Sequence, residues 1–305
     1  MLPIVVMTEP GERYERPTAE ELGALIRRLG GAQDRYLVVQ RVPDVPNVFI
    51  QVWHEAGGDY TLEHRDGAPD HHFQTGLDGP EPVIAAMVGW ANADAGWGDA
   101  FAWRTPEIGA ADPSTELELS EEDREVLTER VRLSIAGGYA TRAELVELAE
   151  DYLVSEDDRP VSREQAAALV DRLWLERVRE QETWQGETDP ERLTRAFAAL
   201  DEAGIVARED FACCHSCGHA EIGTEASDGA VGYVFFHGQG TDRVAAGGAL
   251  MLYYGGFDDS DDTATSVGRQ VVVALEQAGL PVEWSGDPGR AIQVTPLDWR
   301  KRLVG

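Results

Sequence analysis

Hydrophobic and polar positions in this chain follow two periods, and the switches between them mark out its elements. A hydroxyl residue stands three positions before an acid or amide in Thr18-x-x-Glu21, Ser120-x-x-Asp123, Thr141-x-x-Glu144, Ser162-x-x-Gln165 and Thr188-x-x-Glu191. At that spacing the two side chains satisfy each other's free backbone amides at a helix start, so five helices are predicted. The first should close near Gly30-Gly31 and another should pause at Gly137-Gly138, because glycine accepts the left-handed turn that ends a helix. Between the first helix and Pro80 the period drops to two. Tyr36-Leu37-Val38-Val39, Val48-Phe49-Ile50-Gln51-Val52-Trp53 and Tyr60-Thr61-Leu62-Glu63 are separated by Pro43 and Pro46 and by Gly57-Gly58-Asp59. This predicts an antiparallel meander with a tight hairpin.

A helix is expected over 81–92, and Trp97, Phe101 and Trp103, irregularly spaced, read as core packing. The small, polar, proline-bearing stretch 108–114 marks a boundary. Residues 119–204 are helical in pattern, with apolar stripes at Leu145, Leu148, Ala149 and Tyr152 and at Leu169, Val170, Leu173 and Trp174. From Ile205 onward strands are expected at 211–214, 231–237, 249–254, 282–284 and 291–294, with a helix over 263–278. The expectation is an α+β chain: an N-terminal α/β meander domain over 1–112, then a helical segment over 119–204 leading into a C-terminal mixed α+β region over 205–305.

Composition changes the picture in two ways. At 305 residues the chain exceeds what one core usually holds, which favours two domains. Its 26 basic residues, of which Lys301 is the sole lysine, face 56 acidic ones, for a net charge of -30. Such a surface repels phosphate backbones and anionic membranes, so no nucleic-acid or membrane partner is expected; a basic protein partner is. The apolar start at 1–7 lacks the basic flank of a signal peptide, and the run 83–91 is broken by Gly89 and falls short of the ~20 residues a bilayer needs. A cytoplasmic location is expected, where thiols stay reduced.

All three cysteines fall in Cys213-Cys214-His215-Ser216-Cys217, followed by Gly218 and His219. Cys214-x-x-Cys217-Gly218 has the form of a zinc knuckle, two thiolates on one turn. Zinc wants four ligands, so His219 and His237 are the candidates to complete the set, with Cys213 and His215 behind them. Two alternatives stay open. A dithiol redox pair needs its first cysteine at a helix N-terminus, and Gly218 and Gly223 predict a poor helix there. Small cysteines packed into a sheet corner are the other.

Other patterns yield less. His219-Ala220-Glu221 follows the cysteines, whereas zinc deaminases place their His-x-Glu before them. The acidic run Asp258-Asp259-Ser260-Asp261-Asp262 suits a helix N-terminus, and Asp70-His71-His72 a strand end at the surface. Gly238-x-Gly240 meets Arg243 where a dinucleotide fingerprint wants its third glycine. Without a serine elbow or a His-Glu-x-x-His motif, the chain leans away from catalysis.

Gln181-x-x-Trp184, Asp189, Arg192-Leu193, Ala196-Phe197, Gly204-Ile205-Val206, Phe211-x-Cys213-Cys214-x-x-Cys217-Gly218-x-Ala220-Glu221-Ile222, Gly232-Tyr233, His237-x-Gln239 and Trp299 together resemble an uncharacterised actinobacterial family, a domain of unknown function. The resemblance spans roughly 119–303 and implies a domain but no activity. The N-terminal part, through Phe49-Ile50-Gln51-Val52, Tyr60-x-Leu62-Glu63 and its tryptophans, is similar to small α/β immunity-type proteins. That similarity implies a non-enzymatic protein that neutralises a toxin by binding it. The rival is a metal- or thiol-dependent enzyme using Cys214, Cys217 and His219.

Overall fold

A computed structural model describes residues 1–68, 71–106, 116–155, 158–227 and 229–303. The expected boundary at 108–114 and the acid Asp70 lie outside them. The chain forms two compact units that interleave along the sequence: Met1–Glu118 with Thr141–Val178 and Leu303–Gly305, and Leu119–Ala140 with Arg179–Arg302.

The first unit is built on a six-stranded antiparallel sheet in the order β2-β1-β3-β4-β5-β6. Its strands are β1 (Ile4–Thr8), β2 (Arg13–Glu15), β3 (Tyr36–Arg41), β4 (Val48–His54), β5 (Tyr60–Asp66) and β6 (His72–Leu77). The period-two pattern sets one face: Leu37, Val39, Ile50, Val52 and Leu62 are fully buried. Helices α1 (Ala19–Arg28) and α2 (Pro80–Ala91) supply Leu22, Ile26, Val83 and Met87 to the same core. Thr18 and Glu21 form the expected capping box on α1. Helix α4 (Arg142–Asp151) and α5 (Arg163–Gln181) as far as Val178 belong to the same unit. Arg142 bonds Asp44 (2.6 Å) and Asp171 (2.5 Å), and the Trp174 indole donates to the Asp44 carbonyl at 2.6 Å. Asp44 is only 4% exposed, and burial pushes its carboxyl above the ordinary range against the pull of Arg142.

The second unit carries a five-stranded sheet in the order β10-β11-β9-β8-β7. These strands are β7 (Ile205–Arg208), β8 (Gly232–Phe235), β9 (Leu250–Gly256), β10 (Val282–Glu283) and β11 (Ile292–Val294); β7 and β8 are parallel and the other pairs antiparallel. One face packs Ile205, Val234, Leu250 and Leu252 against α6 (Asp189–Glu202) and α9 (Asp261–Gln277). The opposite face holds a smaller cluster of Val206, Ile222 and Phe235. Helix α3 (Glu121–Gly137), capped by Ser120 and closed by Gly138 at φ 81°, packs on α8 (Gly238–Ala245). The chain then returns along these elements. Asp298 N–H bonds Asp189 (3.0 Å), the Trp299 indole donates to the Gly137 carbonyl (3.3 Å), and Arg302 pairs with Glu191. Lys301 reaches Glu209 at 3.1 Å with its ammonium 4.2 Å from the Tyr139 ring centre.

The α+β class is as expected, and no helix of the described residues is long and apolar enough to cross a membrane. Two local expectations fail. Residues 211–214 form a loop, β7 ending at Arg208, and the segment after them, expected to resist helix formation, is the helix α7 (His215–Glu221). Gly218 explains the difference: a Cβ there would lie 2.3 Å from the buried Phe235 ring, so its lack of a side chain seats the helix on the sheet. That close packing outweighs the weak helix propensity of glycine.

Candidate metal centre

The loop between β7 and α7 is folded back on the start of α8. Asp210 and Ala212 take left-handed backbone conformations, at φ 50° and φ 60°. The amide of Phe211 bonds the Phe236 carbonyl at 2.8 Å, and the amides of Gly238 and Gln239 reach the carbonyls of Ala212 (3.1 Å) and Cys213 (3.4 Å). Asp210 accepts the Thr241 hydroxyl, and burial raises its carboxyl above the usual value. The loop is thus pinned at both ends, and the cysteines project from a held backbone.

Cys213, Cys214 and Cys217 place their sulfurs within 4.8 Å of one another, and among the described residues no other group of three potential ligands does so. The Cys213 and Cys217 sulfurs are 3.5 Å apart. A disulfide needs about 2.05 Å. Two thiolates on a tetrahedral zinc, with Zn–S near 2.3 Å, stand about 3.8 Å apart. The spacing therefore fits sulfurs sharing one ion. Cys213 is exposed and the other two half-buried, which is not the packed corner that was one of the alternatives.

Cys214 occupies the N-cap of α7, and its carbonyl accepts the Gly218 amide at 2.9 Å. The Cys217 backbone amide, then the thiols of Cys217 and Cys213, hold the Cys214 thiol below its ordinary pKa. Cys217 moves the other way, pushed up to about 12, by its hydrogen bonds with Cys213 and Cys214 and by the charge those thiols would carry.

The histidines line the neighbourhood without joining the sulfurs. His219 Nδ1 lies 3.0 Å from the Tyr233 hydroxyl, and His237 Nδ1 accepts the Gly240 amide at 3.2 Å as the N-cap of α8. His237 is buried and stacks on Tyr253, at 5.4 Å between ring centres; His215 meets the same tyrosine edge-on at 4.4 Å. Burial first, then the nearby His215, lowers the pKa of both His219 and His237, which favours neutral rings. Of the expected set of Cys214, Cys217, His219 and His237, the structure brings Cys214 and Cys217 together, joins Cys213 to them, and leaves His219 and His237 outside the group. Spacing favoured Cys214 and Cys217 alone. The signal that would have added Cys213 is the pair of left-handed residues ahead of it, which sequence does not disclose for aspartate and alanine.

The residues that build this centre come from one continuous family segment. A family model described as Domain of unknown function (DUF6891) matches residues 120–303, from the cap of α3 through the cysteine loop to the returning C-terminal strand of chain. No curated protein and no solved structure matches the chain. With more than half its length under that one model, the chain belongs to the DUF6891 family.

Proposed function

We propose that the protein binds a soft, zinc-class ion through Cys213, Cys214 and Cys217, with the fourth coordination position open at the surface. The convergence of three sulfurs within 4.8 Å carries this reading. Thiolates select such ions over calcium or magnesium, and the lowered Cys214 thiol eases formation of the first bond. The ion ties the loop before α7 to the helix itself, a structural role consistent with an acidic interaction protein whose partner is cationic. The net charge of -30 supports that partner class, including the basic toxin an immunity-type protein would neutralise.

Native mass spectrometry with metal analysis of protein purified under reducing conditions tests the site. One equivalent of zinc is expected, lost in Cys213→Ser and Cys217→Ser and kept in His219→Ala. Wild-type protein that takes up no zinc from a micromolar supply sinks the proposal.

A second reading, a dithiol redox pair of Cys214 and Cys217, gains from the placement of Cys214 at a helix N-cap. Zinc-free protein that forms a single reversible Cys214–Cys217 disulfide in a glutathione buffer would favour it over the metal site.

A further inference from the structure

Beyond the cysteine loop, a concavity lies in the first unit, where the chain leaves α2. A pocket of about 340 Å³ is lined by Gly96, Trp97, Gly98, Asp99, Phe101 and Trp103. Its walls are aromatic and mutually near-perpendicular: the Trp97 and Trp103 rings meet at 69° with centres 5.7 Å apart, and Phe101 and Trp103 at 80° and 5.8 Å. All three rings are half-buried, packed against the core on one side and open to the pocket on the other. The Trp103 indole N–H is held by the Gly98 carbonyl at 2.9 Å, which fixes that ring.

The loop is clamped at both ends. Asp94 N–H bonds the Gly89 carbonyl of α2 at 2.9 Å, and Gln74 of β6 exchanges two backbone hydrogen bonds with Arg104, at 2.8 and 2.9 Å. Behind the indoles stands His64, edge-on to Trp97 at 5.0 Å and to Trp103 at 4.6 Å. Burial lowers its pKa, which favours a neutral floor.

Asp99 supplies the one charged side chain of the lining. It is exposed, and among the described residues its carboxylate has no ion-pair partner. It turns inward over Gly96, where a Cβ would meet its Oδ2 at 2.7 Å and where φ +74° also favours glycine.

Aromatic rings attract a cation through their quadrupoles, and a carboxylate at the rim adds charge without a competing lysine or arginine in the lining. Such a pocket rejects anions, and the net charge of -30 draws cations toward it. A methylated ammonium group suits it better than a bare one, because its methyls fill apolar walls that cannot replace lost water. We infer that the Trp97–Phe101–Trp103 pocket binds a methylated ammonium group, with Asp99 as its counter-charge. The chemistry is shared by free quaternary amines and by methylated lysine side chains of a partner protein.

Titration of the full-length protein with choline, followed by tryptophan fluorescence, tests the inference beside a peptide bearing one trimethyl-lysine and beside 3,3-dimethylbutanol, the neutral isostere of choline. Saturable binding of choline or the peptide is expected, at least tenfold tighter than the alcohol and about tenfold weaker in Asp99→Asn, an exposed change that leaves the thermal midpoint unmoved. Whichever of the two cations binds tighter identifies the source. Equal binding of the alcohol, or no saturable response to either cation up to 10 mM (roughly the weak end of specific recognition), overturns it.

Discussion

Two cysteines three positions apart, Cys214 at the N-cap of α7 and Cys217 in its first turn, have their thiol pKa values moved in opposite directions. Cys214 accepts the amides at the head of α7, whereas Cys217, in hydrogen bonds with Cys213 and Cys214 and beside their charge, is pushed up to about 12. In zinc-free protein at pH 7.5, iodoacetamide should therefore modify Cys214 at least tenfold faster than Cys217, as peptide mapping by mass spectrometry will show. The sign is fixed by the thiolate fraction: lowering the pH through the Cys214 pKa should slow its labelling while Cys217 stays slow throughout. Equal rates would mean that the helix amides do not reach the sulfur. Zinc should suppress both reactions if all three sulfurs ligate it.

Elements differ in how openly the sequence announces them. Helices α1 and α4 are written by reciprocal capping pairs, Thr18 with Glu21 and Thr141 with Glu144, and each forms where the pairs place it. Those signals are local, three residues apart. Strands β3, β4 and β5 are equally legible, because burying one face imposes period two on the residues themselves. By contrast α7 was hidden, since its key residue acts across space: Gly218 looks like a helix breaker until Phe235 is seen beneath it. Gly218→Ala separates these effects. Alanine gains about 1 kcal/mol of helix propensity, but its methyl meets a fully buried ring, and overpacking costs about 1–3 kcal/mol. A net loss of about 1 kcal/mol in denaturant unfolding is expected, with weaker zinc binding as α7 lifts from the sheet. Unchanged stability and affinity would show that α7 has room to spare.

For the whole molecule, the informative fact is that compact units and chain order disagree. Which sheet a later helix joins is decided by distant partners such as Asp44 and Trp174, 130 positions apart. Arg142 makes that choice costly to reverse, because it neutralises Asp44 from across nearly a hundred residues of chain. Arg142→Met should destabilise the protein by about 3 kcal/mol, the lower end for breaking a buried pair. The loss should depend on pH. Without Arg142 the folded-state pKa of Asp44 rises further above its unfolded value, so stability is lost as pH rises through that window. Thermal melts should show variant and wild type close together near pH 4 and far apart at pH 7. A pH-independent gap would assign Arg142 a packing role alone.

The C-terminal return has a further use. Lys301 carries the only side-chain amine of the sequence, and it is clasped by Glu209 beneath the Tyr139 ring with 14% of its side chain exposed. Reagents and enzymes that acylate lysine thus meet a protein with a single, shielded target. Acylation of Lys301 becomes a report on how often the last turn of chain lifts away from Glu209, the residue beside the cysteine loop.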